Sequence, residues 1–229
     1  MATTLGETAG DAVTMTLNWG YLFGTAFFAA IFIVSVSVQV RARRYHPALY
    51  WLVIVATTTC GTTLADFCDR SLGIGYAGGS TLLGVLLFAT LATWYRSLGS
   101  VAVDNLNTAK AEVFYWTTIM FSQTLGTALG DWVATSANLG YIGGAEVFAV
   151  LIAVVAGMYF FTSLSRPLLF WAAFILTRPL GATVGDFLDK PLADGGLNLG
   201  RFAASAVLVL LVIILLWLTP RQKAPPALG

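Results

Sequence analysis

Charge is what this chain has least of. Lys, Arg, Asp and Glu make up 10% of 229 residues, against ~25% in soluble domains. Hydrophobic residues reach 58% and mean hydropathy is +0.81, which excludes a water-soluble fold. Histidine occurs once, as His46 in the basic loop RARRYHP, where it reads as an interfacial residue. Cysteine occurs twice and never as CxxC, which argues against soft-metal centres. Cys60 and Cys68 lie eight apart on one predicted helix, ~12 Å of rise and beyond disulfide reach; buried thiols are expected. The first ten residues carry neither a basic n-region nor an apolar h-region, so no signal peptide is expected. With a net charge of +1 no nucleic-acid partner is expected.

What is present is repetition. The stretch TLGTALGD (124–131) has three relatives: TLGETAGD (4–11), TCGTTLAD (59–66) and PLGATVGD (179–186). The intervals between their aspartates, Asp11, Asp66, Asp131 and Asp186, are 55, 65 and 55 residues. Trp51, Trp116 and Trp171 each precede an aspartate by 15 positions, and Gly20-Tyr21, Gly75-Tyr76 and Gly140-Tyr141 follow at 9 and 10. A register held over the whole chain marks a four-repeat protein. Apolar runs at 21–40, 82–93, 147–161 and 205–218 alternate with the motifs. Each spans or nearly spans ~30 Å of hydrocarbon.

The expected fold is an all-α polytopic membrane bundle of about eight helices in one transmembrane domain. Predicted spans are 2–17, 19–40, 49–68, 74–95, 113–134, 139–163, 168–189 and 197–219. They pair into repeats at about 1–48, 49–112, 113–167 and 168–219, with 220–229 as a cytoplasmic tail. The first helix is short. By register its tryptophan falls before residue 1, and a start site placed too late is the favoured explanation. Loops after the even helices hold Arg41, Arg43, Arg44, Arg96, Lys110, Arg166, Arg221 and Lys223 against only Asp104 and Glu112. The positive-inside rule then puts both termini in the cytoplasm. Nine acids and four bases (Arg70, Arg178, Lys190 and Arg201) fall within helices or on the far side.

The order is ABAB. Repeats one and three share T-L-G-x-x-x-G-D with Asn18 and Asn138 downstream; repeats two and four share D-F-x-D-[RK], ending in Arg70 and Lys190. The fourth reads GGLNLGR where Gly-Tyr is expected, and is taken as degraded. ATTLGETAGD, TLGTALGDW and TRPLGATVGDF resemble a family of bacterial inner-membrane proteins described as four tandem two-helix repeats, each with a characteristic tryptophan. The resemblance covers essentially the whole chain and implies this architecture and an inner-membrane location. The family is labelled by its repeat, so the resemblance implies no chemistry.

Even numbers of crossings make the repeats parallel, related by an axis along the membrane normal, with all four aspartates at one depth. Fifteen residues at ~1.5 Å each put them ~22 Å from tryptophans read as inner-interface anchors. Residues four and eight before each aspartate share its face: Thr3/Glu7/Asp11, Thr58/Thr62/Asp66, Gln123/Thr127/Asp131 and Arg178/Ala182/Asp186. Such stripes belong against each other or against water. An outward-opening polar vestibule is expected, closed below by Val55, Met120 and Ile175. Glycine pairs such as Gly126/Gly130 allow close helix approach. Asp66 and Asp186 have a local base at i,i+4, Arg70 and Lys190; Asp11 and Asp131 have none. Glu7 and Asp11, one turn apart, need a proton or a cation to sit together.

Oxygen-rich groups of this kind suit hard cations. The leading expectation is a small cation transporter or exporter, for a metal ion or a proton-coupled substrate, not an enzyme. Glu7, Asp11 and Asp131 are the candidate metal ligands; Asp66, Asp186, Gln123, Thr127 and Arg178 complete the binding set. Its partners are the lipid bilayer and the cation, and no cofactor is implied beyond a bound divalent or monovalent ion. The rival is a structural membrane component whose acids form a buried polar network. An intramembrane aspartyl protease fits less well: TALGD matches G-x-G-D only loosely, and four equivalent aspartates exceed a dyad. Lys190 sits at a helix end beside Pro191, which argues against a retinal linkage.

Overall fold

Backbone amides in hydrocarbon have no water to bond, so a chain this apolar satisfies them internally as helices. The computed structural model describes residues 1–42, 46–103, 106 and 108–218. Eight α-helices follow in order: α1 (Ala2–Asp11), α2 (Tyr21–Arg41), α3 (Pro47–Asp66), α4 (Gly75–Leu98), α5 (Ala109–Asp131), α6 (Gly140–Phe161), α7 (Arg166–Asp189) and α8 (Arg201–Leu218). No strand occurs among the described residues. α2, α3, α4, α6, α7 and α8 are long and apolar enough to cross a membrane. α1 is the short first helix that the repeat register requires. Arg43, Arg44, Asp104, Arg221, Lys223 and the 220–229 tail lie outside the described residues.

The odd helices form a closed inner ring. α1 packs on α3, α3 on α5, α5 on α7, and α7 returns to α1. Each even helix lies outside and packs on the inner helix of the following repeat: α2 on α3, α4 on α5, α6 on α7, and α8 on α1. The small residues of the motif permit this. A Cβ on Gly61 would stand 3.0 Å from the Gln123 backbone, and one on Gly6, Gly126 or Gly181 would overlap Thr58, Arg178 or Thr3. Each motif glycine thus meets the residue eight before the next repeat's aspartate, and the fourth meets the first. That is the close approach that small-xxx-small pairs allow.

Every motif aspartate lies at or near the C-terminal end of its inner helix, so the four share one end of the bundle. Arg41, Arg96, Lys110 and Arg166 mark the opposite end, where even helices finish and odd ones begin. An apolar layer does close that opposite end, but not with the residues expected. Val55, Met120 and Ile175 are only partly buried. The layer is Val53, Ile54, Trp94, Tyr115, Trp116, Ile119 and Trp171. Trp116 and Trp171 are therefore core residues and not interfacial anchors; they are 4% and 3% exposed, against 37% for Trp51. Trp171 Nε1 donates to the Val101 carbonyl at 2.9 Å, satisfying the indole inside the layer.

Two local features escaped the sequence. After Asp11, Asp66 and Asp131 the helix widens to π geometry over Ala12–Thr16, Phe67–Ser71 and Trp132–Ser136, a deformation common at functional sites. In the fourth repeat α7 stays α-helical to Asp189, despite Pro179. The fourth repeat is also not degraded. Asn18, Asn138 and Asn198 all adopt positive φ, as do Gly20, Gly140 and Gly200 two residues on. Gly73 and Gly75 play these parts in repeat two. The same turn recurs four times; in the last repeat it comes later along the chain, after a 3-10 turn at Leu192–Asp194.

Candidate functional site

The ring brings the polar stripes onto its axis, and one side chain fills the middle. Arg178 is fully buried. Its Nη2 lies within hydrogen-bond distance of Glu7 Oε2 at 2.9 Å, of Thr127 Oγ1 at 2.6 Å and of Thr62 Oγ1, sharing its two hydrogens among them, while Nη1 donates to the Thr3 carbonyl at 3.2 Å. All four repeats therefore meet at a single guanidinium, whose planar fork suits it to several acceptors at once. An arginine in mid-span needs a partner, and Glu7 is that partner. The expected open vestibule is not found at this level, because Arg178 occupies the axis. Gln123 is buried as well, its Oε1 without a hydrogen-bond partner among the described residues.

Toward the aspartate end lies a collar of ion pairs. Arg70 Nε sits 2.9 Å from Asp66, and Arg70 Nη2 3.8 Å from Asp131. Lys190 sits 3.0 Å from Asp186 and also pairs with Asp11. Arg201 Nε lies 3.0 Å from Asp189 and 3.7 Å from Asp11. The i,i+4 pairs of repeats two and four form as expected. Asp11 and Asp131, which have no base at i,i+4, borrow one from the preceding repeat around the ring. Oxygens of Glu7, Asp11 and Asp186 all lie within 4.8 Å of one another, a spacing at which three carboxylates can share one cation. Of the three expected ligands, Asp131 lies apart from this trio, on the helix diagonal to α1 and beside Arg70.

Several participants were not singled out by sequence. Tyr21 entered the sequence pattern only as half of a Gly-Tyr pair, yet its hydroxyl accepts from Arg70 Nη1 at 3.2 Å. The Arg70 guanidinium lies 5.8 Å from the Tyr21 ring and 6.0 Å from the Tyr76 ring, within cation–π range. Asp69 and Asp189, the second acids of D-F-x-D, are both buried. The visible signal for them was the D-F-x-D-[RK] match itself. Arg201 was hidden because it stands where the other repeats carry tyrosine.

The family model described as Repeat of Unknown Function (DUF347) matches residues 1–45, 49–100, 114–165 and 169–224. The chain belongs to the DUF347 family. No curated protein and no solved structure matches it. Each DUF347 match takes in one inner helix and the outer helix that follows it.

The four DUF347 repeats supply an uneven set of charges. Glu7, Asp11, Asp66, Asp69, Asp131, Asp186 and Asp189 are all buried. Among the described residues, the bases paired with this set are Arg70, Arg178, Lys190 and Arg201. Seven carboxylates against four bases leave an excess of three negative charges, and among the described residues Asp69 is the one of the seven with no base within ion-pair distance. Oδ1 of Asp11 and Asp189, and both oxygens of Asp69, have no hydrogen-bond donor among the described residues.

Proposed function

We propose that this protein is a small cation carrier of the bacterial inner membrane, non-enzymatic, with both termini in the cytoplasm. The carboxylate collar then lies near the outer face. The observation that carries the reading is the imbalance of seven buried acids against four bases. Isolated buried charge is very costly, so the surplus is neutralised by protons or by bound cations. Groups of that kind inside membranes mark ion pathways. The grouping of Glu7, Asp11 and Asp186 offers a seat for a hard cation. Lys190 and Arg178 beside it supply a fixed positive charge that the arriving ion must displace.

The test is a thermal-shift screen of purified protein across Mn²⁺, Mg²⁺, Ca²⁺, Na⁺ and pH, paired with uptake or tolerance assays of Asp131→Asn. A carrier gains melting temperature with the concentration of its ion, and Asp131→Asn loses transport while remaining folded. Asp131 suits this purpose because its ion pair is the loosest, at 3.8 Å.

The structural reading rests on a specific observation too. Each motif aspartate has a base within ion-pair distance, and Arg178 ties the four repeats together. On that reading no ion shifts the melting temperature, and Asp131→Asn costs stability alone.

A further inference from the structure

The two halves of the ring treat one acid differently. Asp69 and Asp189 each lie three residues past a motif aspartate, in the matching D-F-x-D segments. Asp189 accepts from Arg201 Nε at 3.0 Å. Asp69 is 6% exposed, and neither of its oxygens has a partner among the described residues. Tyr76 and Arg201 follow the equivalent turn glycines, Gly75 at φ 68° and Gly200 at φ 77°. The second half therefore carries a built-in guanidinium at a register position where the first half has a tyrosine.

The nearest base does not fill the gap. Arg70 spends Nε on Asp66, points Nη2 toward Asp131 and gives Nη1 to Tyr21. Asp69 instead lies against α4 at Gly79, where a Cβ would overlap its Oδ1. It stands in the π turn Phe67–Ser71, flanked by partly buried Cys68 and exposed Arg70.

We propose that Asp69 is the recognition carboxylate for an ammonium or guanidinium group of a ligand, which takes in the first half the place that Arg201 takes in the second. The proposal rests on the cation-carrier reading and names its substrate class as organic or simple nitrogen cations. A single carboxylate is a poor seat for a divalent metal, which wants six or more oxygens. It is a good one for N–H donors, through short charge-assisted hydrogen bonds. The Tyr76 ring, already near the Arg70 cation, adds an aromatic face of the kind that ammonium groups favour. Asp189, permanently paired, is the reference copy that shows what a filled site looks like.

The experiment uses the full chain in detergent, with methylammonium as the ligand, read by calorimetry and thermal shift. Sodium, magnesium and pH series run alongside. Wild type binds a single methylammonium. Asp69→Asn weakens that binding by at least about tenfold, the scale of a lost charge-assisted hydrogen bond. Tyr76→Arg places a guanidinium beside Asp69, abolishes binding and melts no lower than wild type, which keeps the proposal testable should Asp69→Asn fold poorly. Arg201→Tyr frees Asp189 and adds a second binding event. Unchanged methylammonium affinity in Asp69→Asn overturns the inference and leaves the carrier reading standing. Response to sodium, magnesium or pH without methylammonium binding does the same. A wild-type protein indifferent to every cation and to pH overturns both.

Discussion

Arg178 and Glu7 meet at 2.9 Å on the bundle axis although 171 residues separate them in the chain. They join the last repeat to the first, and both are almost wholly shielded from solvent. Thr62 and Thr127 complete the contact from the two repeats between. A cation held this way fixes the register of all four inner helices at one point. It also occupies the line along which a solute would travel.

Arg178→Met leaves Glu7 buried without its counter-charge, and we expect a loss of about 3–5 kcal/mol, the usual cost of breaking a buried pair from one side. Arg178→Met combined with Glu7→Gln should recover much of it. Unfolding in detergent–denaturant mixtures checks both, and equal losses in the single and double variants would count against the pair.

Gly61→Ala tests helix approach. Its Cβ would press on the Gln123 backbone at 3.0 Å, and backbone cannot swing aside as a side chain can. A loss of about 1–3 kcal/mol is expected from such overpacking. Gly84→Ala, with open space around it, is the control and should be close to neutral. Melting temperatures of the two variants decide the matter.

Brominated lipids distinguish the tryptophans. Trp51 is exposed, whereas Trp116 and Trp171 are enclosed by the aromatic layer. In variants retaining a single one of these indoles, with the other tryptophans replaced by phenylalanine, lipid bromine should quench Trp51 strongly and Trp116 and Trp171 weakly. Equal quenching would restore the interfacial role that spacing alone suggested.

Cys68 reports orientation. It is partly exposed at the aspartate end, while Cys60 is 1% exposed. An impermeant maleimide applied to intact spheroplasts should label Cys68 of the Cys60→Ala variant. Labelling only after lysis would invert the proposed topology.

Much of the architecture was legible because the repeat register, the apolar runs and the basic loops all constrain it independently. With the π turns counted as part of the helices they extend, the eight spans and the structural ones differ by at most four residues at either end. The polar stripe was legible as well, since period and residue type pointed Glu7, Thr62, Thr127 and Arg178 to one face. What spacing cannot convey is which repeat a side chain answers to. Asp11 and Asp131 look unpaired along the chain, yet their bases come from the repeat before them around a closed ring. Trp116 and Trp171 misled because an indole 15 residues from the acid fits an interface and a core layer equally well. Arg201 was missed because the turn it follows is shifted along the sequence, so identity of register was mistaken for decay.

Because α8 docks on α1 and Gly181 on Thr3 as their counterparts dock elsewhere, the array has an order in sequence but no beginning in space. Both described ends of the chain lie at the tryptophan side. A gene recut to start at α5, with a flexible tether joining the old termini, should therefore encode the same bundle. Spectroscopic helicity and a shared melting transition would show it. Covalent continuity would then be incidental to assembly, and two separately expressed halves should find each other in the bilayer.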